Sequence, residues 1–306
     1  MDPIEPIDTT AGPAPLSGRR ESPFRYYLRF VLSRPAGIFG LVMVSGVLIV
    51  TIIAPWIIPY DPEKTFPGLI LEPPSAAHWF GTDATGLDVF SRVIAATRTD
   101  IPVAFAATAA SMAIGVILGV IAGYFGERRG LGGAVSEVIM RILDIFQAFP
   151  VFVLALVLVA AAGSGALNVG IAIAFVNAPI FARLIRGQIL GLRRMPFVEA
   201  ARCAGGTPLR VAFGNVMPNV ISPAFVQASV TLGFAILLTA GLSFVGAGVA
   251  APTPEWGLMV ASGGRHIITG EWWPSVFPGL ALGGTILGFA FLGEVMGQAI
   301  NPLERR

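Results

Sequence analysis

Five long runs without a charged residue dominate the chain. They cover residues 35–60, 101–126, 145–182, 211–254 and 272–293. A helix of about 20 mostly apolar residues crosses the roughly 30 Å hydrocarbon core of a bilayer. The first, second and fifth runs contain 26, 26 and 22 residues, so each is predicted to hold one membrane span. Apolar residues do not alternate with a period of two, which favours helices over a barrel.

The third run is long enough for two spans. Gly163-Ser164-Gly165 lies near the middle of its 38 residues and marks a turn. We therefore predict two short spans, near 142–162 and 166–186. Long charged side chains at helix ends can reach the membrane interface. Four residues are expected at such ends: Arg141, Asp144, Arg183 and Arg186.

The fourth run is predicted to hold one span near 220–246, followed by an exit rich in Gly, Ala and Pro that ends at Pro254. Six spans result, and an even number places both termini on the same side. Of the 20 Lys and Arg residues, 16 fall on the side of the termini and 4 on the other. Because cytoplasmic loops are rich in Lys and Arg, both termini are predicted to be cytoplasmic.

Composition supports this interpretation. Of the 306 residues, 55% are apolar and only 12% are charged, with a mean hydropathy of +0.77. A soluble domain has about 25% charged residues, so the fold class is predicted to be an all-α integral membrane protein. The first 23 residues are rich in Pro, Gly, Asp and Glu and are predicted to form a disordered tail, not a signal peptide.

Small residues recur every fourth position along the second span. They are Ala107, Ser111, Gly115, Gly119 and Gly123. Such a stripe allows helix backbones to approach closely within lipid. It predicts a tight helix contact, either within the bundle or with a second subunit.

The longest cytoplasmic connection is predicted to form a helix, a sharp bend and a second helix. Pro196 suits the first position of a helix, and Gly205-Gly206 supplies a C-terminal stop. Thr207 can cap the next helix, with Pro208 in its first turn and Pro218 just beyond its end.

The first of these short helices has a face suited to docking. Phe197, Ala200, Ala201 and Ala204 share one side, and a large apolar anchor with small neighbours fits a groove on another protein. Glu199 lies in the first turn, where the helix dipole favours an anion. Spacing alone leaves two roles open for Glu199, a partner contact and a solvated helix-stabilising acid.

A family resemblance enters with this segment. Glu199-Ala200-Ala201, Gly205 and Asn215-Val216-Met217-Pro218 resemble the EAA loop of binding-protein-dependent ABC import permeases. Residues 25–306 resemble the second permease subunit of dipeptide, oligopeptide and nickel importers. Three further stretches carry this resemblance: His78–Arg92, Asp144–Pro150, and Pro254–Gly257 with Phe277–Gly279.

The resemblance implies a type I ABC importer transmembrane fold in the inner membrane. The expected organisation has five parts: a cytoplasmic tail over 1–34, a first transmembrane helix over 35–60, an extracytoplasmic segment over 61–100, a transmembrane domain over 101–298 with the EAA loop at 195–218, and a cytoplasmic C-terminus over 299–306.

The resemblance also implies partners and a function. The chain would form half of a pathway for peptides, or for a related small solute such as a nickel chelate, and would pair with a homologous permease as a heterodimer. Two ABC ATPases would drive transport, and an extracytoplasmic binding protein would deliver the substrate. Coupling to the ATPases would rest on Phe197, Glu199, Ala200, Ala201 and Gly205.

Several chemistries are excluded by residue content. A phosphate-binding P-loop needs a Gly-rich motif with lysine, and the only lysine, Lys64, lies in Asp-Pro-Glu-Lys-Thr-Phe. ATP and Mg²⁺ are therefore expected only on partner ATPases, and this chain is expected to be no enzyme and to bind no cofactor. Cys203 is the only cysteine, which excludes an internal disulfide and a cysteine metal cluster. His78 with Asp83 and Asp88 is interpreted as a polar loop with turn-forming aspartates, not as a metal site.

An ion-coupled secondary transporter is the main alternative function. It would show buried acids near the membrane centre and broken helices. Asp144 and Glu294 lie near the ends of the predicted spans, and no predicted span has a charged residue near its centre. This favours the ABC permease. A passive scaffold would not depend on the 196–204 helix. The six arginines within 183–210 fit the positive-inside rule with contact to membrane lipid, so no nucleic acid is expected as a partner.

Overall fold

The computed structural model describes residues 23–126 and 130–300, and within these ranges the chain is helical, with no β-strand. The predicted tail before Pro23, Arg128, Arg129 and the end of the chain after Ile300 lie outside the described residues. The helices are α1 (Pro23–Leu32), α2 (Pro35–Ile57), α3 (Val89–Phe125), α4 (Leu131–Gln147), α5 (Val151–Ala162), α6 (Ala166–Leu192), α7 (Pro196–Cys203), α8 (Pro208–Arg210), a π-helical segment (Val211–Val216), α9 (Met217–Val220), α10 (Ser222–Phe244), α11 (Trp256–Gly264), a short 3₁₀ turn (Ile267–Thr269) and α12 (Trp273–Ile300).

Five described helices are long and apolar enough to cross a membrane, namely α2, α3, α6, α10 and α12. A sixth span results if α4 and α5 are taken together, although they are bent by 93°. The predicted all-helical, multi-span fold is therefore confirmed. Orientation across the membrane stays a prediction.

The helix that contains the second span begins before the charge-free run. Helix α3 starts at Val89 instead of residue 101, because the Asp88 side chain accepts a hydrogen bond from the Ser91 N–H and caps the helix. Arg92 and Asp100 therefore lie inside α3, where both are buried. A charge-free run marks the part of a helix that suits hydrocarbon, and the helix itself can continue beyond it.

The third span is not the single helix expected over 142–162. It breaks at Ala148–Pro150, between α4 and α5. Pro150 disfavours helical backbone in the preceding residue and has no N–H to donate, so the helix ends and restarts here. Asp144 consequently lies beside a break in the helix, and Arg141 lies within α4, so neither is at the end of a straight span as expected.

The turn between the next two helices is confirmed. Gly163 and Gly165 have φ values of 93° and 137°, a region that glycine alone adopts easily. Helix α6 then runs to Leu192, so Arg183 and Arg186 lie within it and not at its end as expected. No proline follows position 186 until the chain reaches Pro196, which explains the longer helix.

The small-residue stripe of α3 lies against α6. A Cβ atom added to Gly115 would lie 2.5 Å from the Ala178 carbonyl oxygen, and one added to Gly119 would lie 2.6 Å from that of Ala182. At Gly123 the nearest atom would be the Ile189 Cβ, at 2.9 Å. Ala107 and Ser111 are buried along the same stripe. The two backbones are thus too close for any larger side chain at these glycines.

The buried apolar residues form two clusters. The larger one joins α2, α3, α5, α6, α10, α11 and α12. The second lies at the other end of α3 and α6, around Val120, Tyr124, Ile185 and Ile189. It also includes Val198 and Val211, so this second cluster holds the segment from α7 to α9 in place.

Candidate functional site

Helix α7 forms as its sequence predicts. Pro196 occupies the first helical position after an extended Met195. Glu199 lies in the first turn and Arg202 in the last, so both charges interact favourably with the helix dipole and stabilise α7. Eight residues are too few for a stable isolated helix, so α7 depends on its packing against the rest of the protein.

The bend after α7 is confirmed. Gly205 has a φ of 81°, in the left-handed region that is strained for other residues. The Thr207 hydroxyl accepts a hydrogen bond from the Arg210 N–H at 3.4 Å, and Pro208 opens the next helix. The chain therefore bends between α7 and α8.

One expectation for this segment is wrong. Pro218 does not end the second helix, because α8, the π-helical segment and α9 continue to Val220. The Met217 N–H donates to the carbonyl of Ala212, five residues back, as in a π-helix. Pro218 follows directly and lacks an N–H, so it lies where the helical hydrogen-bond pattern is already altered.

The buried side of α7 was not predicted. Val198 is fully buried in the second apolar cluster, and Ala201 packs at its edge. Gly206 allows α7 to pack this closely, since a Cβ there would lie 2.8 Å from the Ala201 carbonyl oxygen and from a Val211 methyl group. The i, i+3 spacing of Val198 and Ala201 was the available sequence signal.

The opposite side of α7 is exposed. Phe197 is 41% exposed, although it is a large apolar residue. Glu199, Ala200 and Ala204 are exposed beside it, and Gly205 is exposed at the bend. Four of the five predicted coupling residues thus share an accessible surface, while Ala201 lies on the inner side. We call Phe197, Glu199, Ala200 and Ala204 the α7 outer face.

Polar contacts attach this segment to the end of α3. The Arg202 Nε donates to the Tyr124 hydroxyl at 3.1 Å, and its guanidinium lies 5.2 Å from the centre of the Tyr124 ring. The Arg193 guanidinium donates to the carbonyl of Gly123 at 3.1 Å. A displacement of α7 would therefore act on α3 directly.

The 61–88 segment, at the other end of α3, is built on turn hydrogen bonds. The Asp83 carboxylate accepts from the Thr85 and Leu87 N–H groups at 2.8 and 3.0 Å. The His78 Nδ1 lies 2.8 Å from an Asp88 carboxylate oxygen. No group of three or more His, Cys, Asp or Glu side chains suited to a metal occurs among the described residues. Asp83 therefore acts as the turn former that the sequence suggested.

A buried pair of acids joins α3 to α11, and no sequence pattern indicated it. Asp100 and Glu255 are fully buried, and their carboxyl groups contact each other. Asp100 accepts from the Trp256 N–H at 3.1 Å, and Glu255 caps α11 by accepting from Gly257 and Leu258 at 2.9 and 2.6 Å. Burial raises the pKa of the Glu255 carboxyl, and the bonds from the Leu258 and Gly257 N–H groups oppose this shift.

Comparison with known proteins identifies the family. The model of the binding-protein-dependent transport system inner membrane component matches residues 115–306, and that of the N-terminal TM domain of oligopeptide transport permease C matches residues 22–74. The chain belongs to the binding-protein-dependent permease family. It is accordingly a multi-pass inner-membrane permease of an ABC importer, and a transport subunit, not an enzyme.

Individual relatives and one solved structure agree with this family. The permease is 38% identical over 281 residues to the dipeptide transport system permease protein DppC of Alkalihalophilus pseudofirmus, covering 92% of this chain and 90% of the relative. It is 34% identical to the nickel transport system permease protein NikC of Escherichia coli, covering 89% of this chain and 96% of the relative. An inward-facing structure of the MetNI methionine ABC transporter matches with a TM-score of 0.54 at 17% identity, covering 69% of this chain and 97% of that one. This last match concerns the fold alone.

Proposed function

We propose that this permease imports peptides, forming half of the membrane pathway beside a homologous permease. An extracytoplasmic binding protein delivers the peptide, and two ABC ATPases supply the work by hydrolysing ATP with Mg²⁺. The dipeptide-permease relative and the oligopeptide-permease match at residues 22–74 support the peptide assignment. Nickel is the second candidate, because a nickel permease is also among the relatives.

The α7 outer face is the proposed contact with the ATPase. The observation that carries this proposal is an exposed Phe197 on a helix whose other side is anchored by the fully buried Val198. An apolar ring surrounded by small residues offers a protrusion that fits a groove on a partner. Glu199 adds a charge that can pair with a basic group at the rim. In this proposal α7 lies on the cytoplasmic side, in agreement with the predicted orientation.

The bend and the inner side of α7 give the contact a mechanical role. Gly205 sets the angle between α7 and α8, and Ala201 lies against the second apolar cluster. The Arg202–Tyr124 contact links α7 to α3. Closure of the ATPases would therefore shift α7 as a unit and displace the ends of the spans attached to it.

The native cysteine provides a direct test of this contact. Cys203 lies on α7 and is exposed, and it is the only cysteine of the chain. We expect a maleimide to label it quickly in the isolated permease pair and at least tenfold more slowly once the ATPases are added. As a control, Ile268→Cys in a Cys203→Ser background should label equally in both states, because Ile268 is 95% exposed between α11 and α12. Equal labelling of Cys203 with and without ATPases would refute the proposed contact.

Charge reversal on the α7 outer face tests the coupling itself. Glu199→Lys should lower ATP-driven peptide uptake at least tenfold without lowering the amount of permease in the membrane. Glu294→Lys, at an exposed acid on α12, is the matched control and should retain uptake. Normal uptake by the Glu199 variant would count against a role for this acid in coupling.

A further inference from the structure

Two clefts meet at the break between α4 and α5. The first, which we call the charged cleft, has a volume of about 730 Å³ and is lined in part by Ser136, Glu137, Arg141, Asp144, Arg183 and Arg186. The second, the apolar cleft, has a volume of about 480 Å³ and is lined in part by Asp144, Gln147, Phe149, Leu154, Arg183 and Phe234. Among the described residues, only Asp144 and Arg183 line both clefts. They therefore form the boundary between a charged compartment and an apolar one.

These two residues are an ion pair. A guanidinium nitrogen of Arg183 donates to an Asp144 carboxylate oxygen at 2.7 Å, across α6 and α4. Their side chains are 46% and 50% exposed, so the pair is not enclosed by this chain. The pair is also accessible from both clefts, as a solute moving between them would require.

The length of α5 indicates how deep in the membrane the pair would lie. Helix α5 has 12 residues and spans about 18 Å, which is less than the roughly 30 Å of hydrocarbon. If the Gly163–Gly165 turn lies at one membrane surface, the break at Ala148–Pro150 lies inside the bilayer. Charged side chains at such depth face water-filled cavities or other protein, because exposure to lipid is costly. With the turn at the surface, the two clefts would therefore be filled by water or solute.

Unpartnered polar atoms point to the same conclusion. Gln147 Oε1 and Arg186 Nε are buried and have no hydrogen-bond partner within the described chain. The first belongs to a residue of the apolar cleft and the second to a residue of the charged cleft. Buried polar groups are normally paired, so each of these atoms lacks a partner that water or a solute could supply once the side chain turns toward its cleft.

We infer that the two clefts are this chain's share of the solute pathway and that the Asp144–Arg183 ion pair is a polar gate within it. A peptide carries an ammonium group and a carboxylate, so it can replace each partner of the pair in turn, with its ammonium at Asp144 and its carboxylate at Arg183. The pair closes again after the solute has passed. This assignment of a zwitterionic solute rests on the proposed function, whereas the position of the pathway does not.

Water access tests the pathway without any substrate. In the assembled transporter in proteoliposomes, Gln147→Cys in a Cys203→Ser background should react with a charged, membrane-impermeant thiosulfonate. Val157→Cys is the matched control on α5, because Val157 is 58% exposed but lines neither cleft, and it should stay unreactive in the lipid. An unreactive Gln147→Cys from both membrane sides would overturn the pathway assignment, even if peptide uptake were normal.

Charge exchange tests the gate. With dialanine as the probe, Asp144→Asn and Arg183→Gln should each lower ATP-driven uptake at least tenfold while the ATPases still protect Cys203. The double variant Asp144→Arg/Arg183→Asp should recover uptake to within about fivefold of the wild type. To separate a gate from a structural pair, leak of dialanine from ATP-free proteoliposomes should rise severalfold in each single variant and fall again in the double variant. Single variants with normal uptake and no leak would overturn the gate.

The two failures can be told apart. If wild-type transporter takes up no dialanine but Gln147→Cys reacts from water, the peptide assignment fails and the pathway stands. If uptake is normal and Gln147→Cys is inert, the pathway assignment fails and the proposed function stands.

Discussion

Replacing Asp100 by asparagine should stabilise the permease, although Asp100 is fully buried and hydrogen-bonded. The Asp100 and Glu255 carboxyl groups contact each other, and Asp100 Oδ1 has no hydrogen-bond donor within the described residues. Two ionised carboxylates in contact would repel each other, so we expect the native pair to share one proton. Asparagine keeps an oxygen for the Trp256 N–H and offers an N–H₂ group to Glu255, so it needs no proton.

The size of this effect follows from the contacts. A hydrogen bond to a charged group contributes about 1.5–3 kcal/mol, and the asparagine amide of the variant would donate one to the ionised Glu255. We therefore expect Asp100→Asn to add about 1–3 kcal/mol near pH 8, where the native proton is hardest to retain. Glu255→Gln should instead lower the stability of the permease. Its N–H₂ group would face one of the two N–H donors at Gly257 and Leu258, and two donors cannot pair. Leaving such a donor unpaired costs about 1–3 kcal/mol.

The pH dependence of stability provides a second test of the Asp100–Glu255 pair. Burial raises the pKa of Glu255, so between its unfolded and folded pKa values the folded state binds more protons than the unfolded state. The stability of the native permease should therefore fall as pH rises through this window. Asp100→Asn should flatten that slope, because its N–H₂ group would donate to the ionised Glu255 and so offset the effect of burial on the Glu255 pKa. The measurement is the melting temperature of the detergent-purified transporter from about pH 5 to 8.5, and a destabilised Asp100→Asn variant with an unchanged slope would refute the shared proton.

Two further predictions concern glycines. Gly119→Ala should lower stability by about 1–3 kcal/mol, since its Cβ would lie 2.6 Å from the Ala182 carbonyl oxygen, whereas Gly191→Ala in open space on α6 should be neutral or stabilising; thermal melting of the two variants decides this. Gly205→Val should abolish uptake and the ATPase protection of Cys203, because a β-branched residue is strained at a φ of 81°. Gly205→Asn should retain more of both, since asparagine tolerates this conformation, and equal loss in both variants would contradict the backbone explanation.

Local signals made the α7 segment predictable. Pro196, Gly205, Thr207 and Pro208 each act on the backbone within a few residues, so the helix, the bend and the next helix follow from sequence alone. The packed side of α7 did not follow, because the partners of Val198 come from α3 and α6 as well as from the next helix. Burial of one face of a short helix depends on long-range neighbours.

The pattern of charge-free runs located the spans but misjudged their ends and shapes. The charge-free run begins at residue 101, so Asp100 was not predicted to be a buried residue of this helix. Its hydrogen-bond donor, the Trp256 N–H, lies 156 residues away in the sequence, where no local pattern could indicate it. The absence of charge over 145–182 does not reveal that Pro150 breaks the third span. A broken span was expected of an ion-coupled carrier, and the family of this chain shows that such a break does not separate carriers from ABC permeases.

The structure connects α7 to the proposed Asp144–Arg183 gate through packed helices. Arg202 and Arg193 attach the α7 end of the chain to Tyr124 and Gly123 at the end of α3. Along the next turns of α3 the small-residue stripe locks onto α6, and α6 carries Arg183. Because the α3 and α6 backbones lie in direct contact at these glycines, we expect a shift at α7 to move α6 together with α3. Asp144 belongs to α4, which Ser136 joins to α3 by a hydrogen bond to the Ala122 carbonyl. The proposed gate would therefore open only if the shift at α7 moves α4 and α6 by different amounts.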